Sequence, residues 1–164
     1  MRNLTIMKKA DIELVGKFRS ALRKFEREQE YLQRSKCCKG LTLAQCHALL
    51  EIGKLEQPSL MQLAESLSLD KSTVSRTVDG LTNLDLVDRY VPFEDRRTVL
   101  ISLTKTGKDT YNDINYENNT YYNKVLAAIP ARERNFFIST FELLADTMVS
   151  VNRKQEKETA EYGN

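Results

Sequence analysis

A mainly α-helical fold with one small β-hairpin is predicted by three features of the chain. Residues 59–107 read as helix, tight turn, helix, strand, charged loop and strand, in that order. The segments on either side carry long apolar stripes at helical spacing. Capping and turn-forming residues stand at the joints between these segments rather than inside them.

The elements follow in order. Within residues 10–34, Val15, Phe18, Leu22, Phe25 and Leu32 recur at spacings of three, four, three and seven, one apolar stripe on a long helix. Thr42 and Gln45 have the spacing of a capping box, in which each side chain satisfies a backbone donor of the other, and they open a second helix. Ser59 and Gln62 repeat that pattern for a third helix, with Pro58 placed just outside, where it interrupts no helical hydrogen bond. Leu60, Leu63, Ala64 and Leu67 form its apolar face. Leu67, Ser68 and Leu69 make the turn, and either Asp70 or Ser72 can cap the helix that follows, from about Lys71 to Asn83. That helix turns Val74, Val78 and Leu81 to one side.

Val87, Arg89 and Val91 alternate with Asp88 and Tyr90, Thr98 to Leu103 is rich in β-branched and apolar residues, and the two are expected to form a hairpin around a polar loop, Pro92 to Arg97. Thr104 can cap a long helix from about Lys105 to Ala128 that carries Tyr111, Ile114, Tyr121, Tyr122, Val125 and Leu126. Pro130 suits the first turn of a last helix lined by Phe137, Phe141, Leu144, Met148 and Val151. The charged segment from Asn152 to Asn164 has no apolar stripe and is expected to fray.

Helix, turn, helix and charged hairpin together make a winged helix-turn-helix, a unit that lays one helix in a DNA major groove with a hairpin beside it. On that reading, residues 1–40 are an N-terminal dimerisation helix and loop, and 41–103 the DNA-binding region. Residues 104–153 are C-terminal dimerisation helices and 154–164 a charged tail. The flanking stripes exceed what so small a unit can cover, and a second copy of the chain is the economical cover.

The second helix of the unit presents Lys71, Ser72, Thr73, Ser75, Arg76 and Thr77 opposite its apolar side. Short hydroxyls permit close approach and can bond bases or phosphates, and an arginine can grip a guanine edge with two hydrogen bonds. On an isolated helix the same residues would be an ordinary solvated face; the hairpin that follows favours DNA. At the hairpin tip, Arg96 and Arg97 suit a narrow, electronegative minor groove, and Asp95 can hold one guanidinium in place.

Bulk charge does not make this case. The chain has 25 Lys and Arg against 23 Asp and Glu, a net of +2. Residues 60–103 carry five cations against seven anions, so 5 − 7 = −2. Residues 1–40 carry eleven against five, so 11 − 5 = +6. The cations that meet DNA must therefore be concentrated on one surface of a unit that is not basic overall. The absence of about 18 consecutive apolar residues and of a signal-type hydrophobic stretch at the N-terminus predicts no membrane span and a cytoplasmic location.

The runs LTLAQCHALLEI, SLMQLAESLSLDKSTVSRTVDGLTNLDLV and EDRRTVLISLTKTG resemble the MarR family of bacterial transcriptional regulators. That family's pattern is an L-T-x-x-Q helix entry, L-A-x-x-L followed by S-T-V-S-R, a D-R-R wing and a closing L-T-x-x-G. The likeness spans roughly residues 10–150. It implies an all-α dimer with a small wing, binding at inverted repeats of double-stranded DNA, and release by a small ligand or by thiol oxidation. By position, Ser72, Thr73, Ser75, Arg76 and Thr77 match the recognition face and Asp95, Arg96 and Arg97 the wing motif. The match leaves open which arginine enters the groove.

Cys37, Cys38, Cys46 and His47 place three thiols and the chain's single histidine within eleven positions. Cys46 falls near a helix N-terminus, which lowers a thiol pKa and favours the thiolate that binds metals or meets oxidants. Thiolates and imidazole are also donors for thiophilic ions, so this cluster is a candidate sensor of a thiophilic metal, a metalloid or an oxidant. Against it, C-C-x7-C-H is not a zinc spacing, no fourth ligand is evident, and cysteines are often small buried hydrophobes. An organic effector in a tyrosine-rich cleft near Tyr111, Tyr116, Tyr121 and Tyr122 is the alternative, although tyrosines at such spacing are more often core. No resident cofactor is indicated.

A homodimeric DNA-binding repressor is the leading reading. The alternative is a winged-helix protein-interaction module without DNA binding, against which Asp95, Arg96 and Arg97 stand beside Arg76. An enzyme is not expected: there is no phosphate-binding glycine loop, no G-x-S-x-G, and one histidine without an acid–base partner.

Overall fold

The computed structural model describes residues 9–32, 40–93 and 98–162. The elements run α1 (Lys9–Leu32), α2 (Leu43–Leu55), α3 (Leu60–Leu67), α4 (Lys71–Asn83), β1 (Val87–Tyr90), β2 (Leu100–Leu103), α5 (Lys105–Ala127) and α6 (Ala131–Tyr162). This is the mainly α, winged helix-turn-helix class with one two-stranded antiparallel sheet. The chain divides into two compact units, residues 1–118 and 119–164, with the division inside α5.

The core of the first unit is made by the faces that the periodicity selects. Ala48, Leu49 and Ile52 of α2 meet Leu63 and Ala64 of α3, Val74, Val78 and Leu81 of α4, then Val87, Ile101 and Ile114. Both capping boxes form: Thr42 Oγ1 accepts from Gln45 N, and Ser59 Oγ accepts from Gln62 N, with the glutamine side chain closing each box. Asp70 is the cap of α4, receiving the Thr73 amide at 2.9 Å. Ser72 therefore does not cap that helix; it donates its hydroxyl to Asp70 instead. The turn between α3 and α4 is closed by Ser68 in the left-handed region at φ 53°, with the Leu69 amide reaching back to the Ala64 carbonyl.

The strands are shorter than their composition suggested. β1 stops at Tyr90 rather than Val91, and β2 begins at Leu100 rather than Thr98. Pro92 has no amide to give a ladder, which ends pairing near it. The hairpin is anchored at its base: the Ile101 amide donates to the Pro58 carbonyl at 3.0 Å, and Leu100 bridges to Ser59. Thr104 caps α5, as its position suggested, by receiving the Gly107 amide, while its own hydroxyl donates to the Asp85 carbonyl at 2.7 Å. A Cβ at Gly107 would collide with the Leu86 carbonyl oxygen, so the closing L-T-x-x-G is a packing requirement at the wing base.

Within the segment expected to fray, residues 152–162 are helical, α6 continuing through Tyr162, and 163–164 lie outside the described residues. Most residues from Arg153 to Glu161 are Gln, Glu, Lys, Arg or Ala, which lose little side-chain freedom in a helix, so propensity extends α6 where no apolar stripe does.

Candidate nucleic-acid interface

The geometry of α4 separates its residues as the periodicity requires. Val74, Val78 and Leu81 are fully buried, which fixes the rotation of the helix about its axis. Lys71, Ser72 and Arg76 are then exposed, while Thr73, Ser75 and Thr77 are half-buried on the flanks of that face. Six candidate contacts thus lie along one side of the helix and its edges, oriented by the apolar anchor beneath them.

Their polar atoms are already organised. Asp70 Oδ1 accepts the Ser72 hydroxyl at 2.5 Å and Oδ2 accepts the Thr73 hydroxyl at 2.6 Å. The Ser72 hydroxyl first, then the Thr73 hydroxyl and amide, hold the Asp70 carboxyl well below the usual carboxylate range. Thr77 donates to the Thr73 carbonyl at 3.0 Å. The first-turn hydroxyls are therefore spent as donors within the helix, and in this arrangement they meet a partner through their lone pairs. Arg76 lies along the helix, with Nε 3.4 Å from the Ser72 carbonyl oxygen and Nη2 3.4 Å from its hydroxyl. Both distances are long for a hydrogen bond, so little holds the guanidinium back from another acceptor.

The sequence did not single out Arg89, yet it joins the hairpin to α4. Its Nη2 donates to the Ser75 carbonyl at 3.2 Å and lies 2.8 Å from Asp79 Oδ1. One residue on, the Tyr90 hydroxyl bonds the Gln57 side chain in the loop before α3. Alternation along a short strand marks which side Arg89 occupies, but a partner fourteen residues earlier becomes visible only in three dimensions. Asp95, Arg96 and Arg97 lie outside the described residues.

Glu51 ties α2 to α3. Its carboxylate accepts the Ser66 hydroxyl at 2.5 Å and pairs with Lys54 at 3.1 Å. The Ser66 bond is the larger cause of its lowered pKa, with partial burial opposing it and Lys54 adding to it.

The cysteine–histidine candidates separate. Cys37 and Cys38 lie outside the described residues. Cys46 is in the core, 3% exposed, whereas the adjacent His47 faces solvent. Among the described residues no group of three or more His, Cys, Asp or Glu is placed to hold a metal ion. The tyrosines also diverge: Tyr111 packs against Gly53, Tyr116 is exposed, and the rings of Tyr121 and Tyr122 meet edge to face at 5.1 Å. Beside Tyr111, an open cleft of about 530 Å³ runs between the end of α2, β2 and the start of α5, with Gln57, Ser102, Lys108 and Asn112 on its walls. No described helix is long and apolar enough to cross a membrane.

Comparison with known proteins agrees with these features. A family model described as the MarR family matches residues 39–98. The chain is 23% identical over 108 residues to the HTH-type transcriptional regulator BilQ of Clostridium symbiosum (strain WAL-14163), covering 66% of this chain and 75% of that protein. Among solved structures, Streptococcus pneumoniae FabT in complex with DNA superposes with a TM-score of 0.70 at 18% identity, covering 85% of this chain and 97% of FabT. Staphylococcus aureus MarR in complex with salicylate and kanamycin gives 0.72 at 19% identity, covering 84% and 94%. At these identities the two structures speak for the fold. Together with the motifs running from Leu41 to Gly107, the family match across the helix-turn-helix and wing makes this chain similar to the MarR family over that region.

Proposed function

We propose that this chain is a DNA-binding transcriptional regulator, a homodimeric repressor that reads an inverted repeat with α4 and is released by a small effector or by a thiol or metal signal. The observation that carries the DNA reading is the polar side of α4, oriented by three buried apolar residues and braced to the hairpin by Arg89. In this account Arg76 reads a base, Lys71 meets a phosphate, and Ser72, Thr73, Ser75 and Thr77 line the approach. Asp95 orients the wing arginines Arg96 and Arg97 over the minor groove. Two such units related by a two-fold axis address half-sites about one helical turn apart.

The dimer is supported by exposed apolar side chains on both long flanking helices. Val15, Phe18 and Phe25 on α1, and Phe137, Phe141, Met148 and Val151 on α6, are all substantially exposed in the single chain. Such stripes are costly in water and are covered by association. For the signal, Cys37, Cys38, Cys46 and His47 remain the thiol and metal candidates, and the cleft beside Tyr111 has room for an organic effector. The burial of Cys46 requires a local opening before its sulfur can react.

The test uses duplexes selected by the wild-type protein from a random pool. Arg76→Ala is expected to lose roughly 1–3 kcal/mol of discrimination at one base position of the selected site. Arg96→Ala and Arg97→Ala are expected to weaken all duplexes alike and to flatten the salt dependence. Failure of the wild type to select any sequence, or indifference to all three changes, defeats the proposal. The same titration with zinc, arsenite or peroxide, on wild type and on a variant with Ser at positions 37, 38 and 46, reads the signal; equal responses remove the cysteines from it.

A further inference from the structure

The hydroxyls on the polar side of α4 have a direction that narrows what they can bind. Ser72 and Thr73 donate to Asp70 at 2.5 and 2.6 Å, and Thr77 donates to the Thr73 carbonyl at 3.0 Å. An ionised carboxylate has no proton to give, so both of its short contacts use the proton of the hydroxyl. Their lengths are those of charge-assisted bonds, roughly twice as strong as neutral ones. A phosphate would have to draw that proton away from Asp70 and then stand beside the carboxylate, anion against anion. Phosphate oxygens and the base atoms N7, O6 and O4 only accept, so none of them suits a hydroxyl held this way. The major-groove partners that remain are the amino groups, N6 of adenine and N4 of cytosine.

For Ser72 the neighbouring residue decides between the two. Arg76 Nη2 lies 3.4 Å from Ser72 Oγ, and both side chains are exposed on the same side of the helix. The guanidinium fork offers two donors in a row, and the hydroxyl beside it offers an acceptor. Along its major-groove edge a G·C pair shows N7 and O6, both acceptors, and then the cytosine amino donor. An A·T pair shows acceptor, donor, acceptor. Only the G·C order complements donor, donor, acceptor. The spacing agrees: O6 and N4 are hydrogen-bonded to each other within the pair, about 3 Å apart, close to the 3.4 Å between Nη2 and Oγ. Serine has two lone pairs, so Oγ can stay beside Arg76 and still accept the amino group.

We propose that Ser72 and Arg76 together read one G·C base pair, Arg76 taking N7 and O6 of the guanine and Ser72 Oγ accepting the amino group of its partner cytosine. Asp70 is the positioning residue that keeps Ser72 an acceptor. This rests on the DNA-binding reading above, with α4 in the major groove, and adds the identity of the base pair and a second reader of it.

Sites are selected from a random pool with the wild-type protein and with Arg76→Ala. The position at which Arg76→Ala loses its preference is expected to be a G·C pair in the wild-type site. Duplexes are then made with 7-deazaguanine, which lacks the N7 acceptor, or with 2-pyrimidinone, cytosine without its amino group, at that pair. The 2-pyrimidinone duplex is expected to weaken wild-type binding roughly three- to tenfold, the scale of one hydrogen bond, and Ser72→Ala binding by about twofold at most. 7-Deazaguanine should weaken the wild type and Ser72→Ala alike and leave Arg76→Ala unchanged. Asp70→Gly, a change a helix N-cap tolerates, should shrink the 2-pyrimidinone loss although Ser72 is intact. The freed hydroxyl can then donate to the guanine O6 that 2-pyrimidinone leaves unpaired. A 2-pyrimidinone loss as large in Ser72→Ala as in the wild type overturns the Ser72 contact, since the weaker base pair then explains it. An undiminished loss in Asp70→Gly overturns the part given to Asp70. An A·T pair at the Arg76 position, or no loss with 7-deazaguanine, overturns the base-pair assignment, while selection of a sequence by the wild type upholds DNA binding. Failure of the wild type to select any sequence overturns both readings.

Discussion

Asp70 does two things with one carboxylate. It caps α4 through the Thr73 amide, and it engages the hydroxyls of Ser72 and Thr73 on the face proposed to meet DNA. These bonds favour the charged form and lower its pKa in the folded protein. A carboxylate depressed on folding adds stability that is fully present above its unfolded value, about 3.9. That stability is lost as the pH falls toward the folded value. Glu51 acts in the same direction through Ser66 and Lys54. The protein is therefore expected to lose stability on acidification below about pH 4. In urea titrations across that range, Asp70→Asn should show a shallower loss than wild type. Equal slopes for the two would deny Asp70 this role. Asp70 stood as one of two caps because Asp and Ser are both good cap residues; only the observed geometry separates a cap from a hydroxyl that serves it.

At the scale of elements, the joint between α4 and the hairpin matters most. Both partners of the Arg89–Asp79 pair are well exposed, with side-chain accessibilities of 35% and 54%. Exposed pairs contribute typically 0.2–1 kcal/mol to stability, so the fold does not depend on this one. Its effect is positional, because a rigid hairpin turned about its base displaces its tip by far more than its root. A double-mutant cycle with Arg89→Ala and Asp79→Asn is expected to give a stability coupling under about 1 kcal/mol. The same variants should lose more affinity for the selected duplex than stability. An affinity loss no larger than the stability loss would make the pair merely structural. The two capping boxes, the turn at Leu67–Leu69 and the bounds of α4 were all legible in the sequence, since each rests on residues within a few positions of one another. The strand ends and the helical tail were not, because a lost ladder partner and a favourable summed propensity leave only weak local marks.

For the whole molecule, the first unit holds a closed core and the long helices do not. The buried hydrophobic residues come from α2, α3, α4, Leu86, the hairpin and Ile114, while α1 and α6 keep most of their large apolar side chains exposed within one chain. Light scattering at micromolar concentration is expected to return twice the 18.9 kDa of the chain. Phe137→Glu paired with Phe141→Glu should push the mass toward the monomer by placing charge in an apolar interface. A monomer mass for the wild type across that range would refute the dimer. Periodicity, capping and motif spacing determined the class of fold, the order of its elements and the rotation of α4, because apolar burial acts on patterns that repeat every few residues. Tertiary structure decided that Cys46 is core while His47 is surface, that Arg89 braces the hairpin, and that Gly107 must lack a side chain against Leu86. Each of these depends on which distant backbone comes to lie alongside, and no local period in a sequence encodes that.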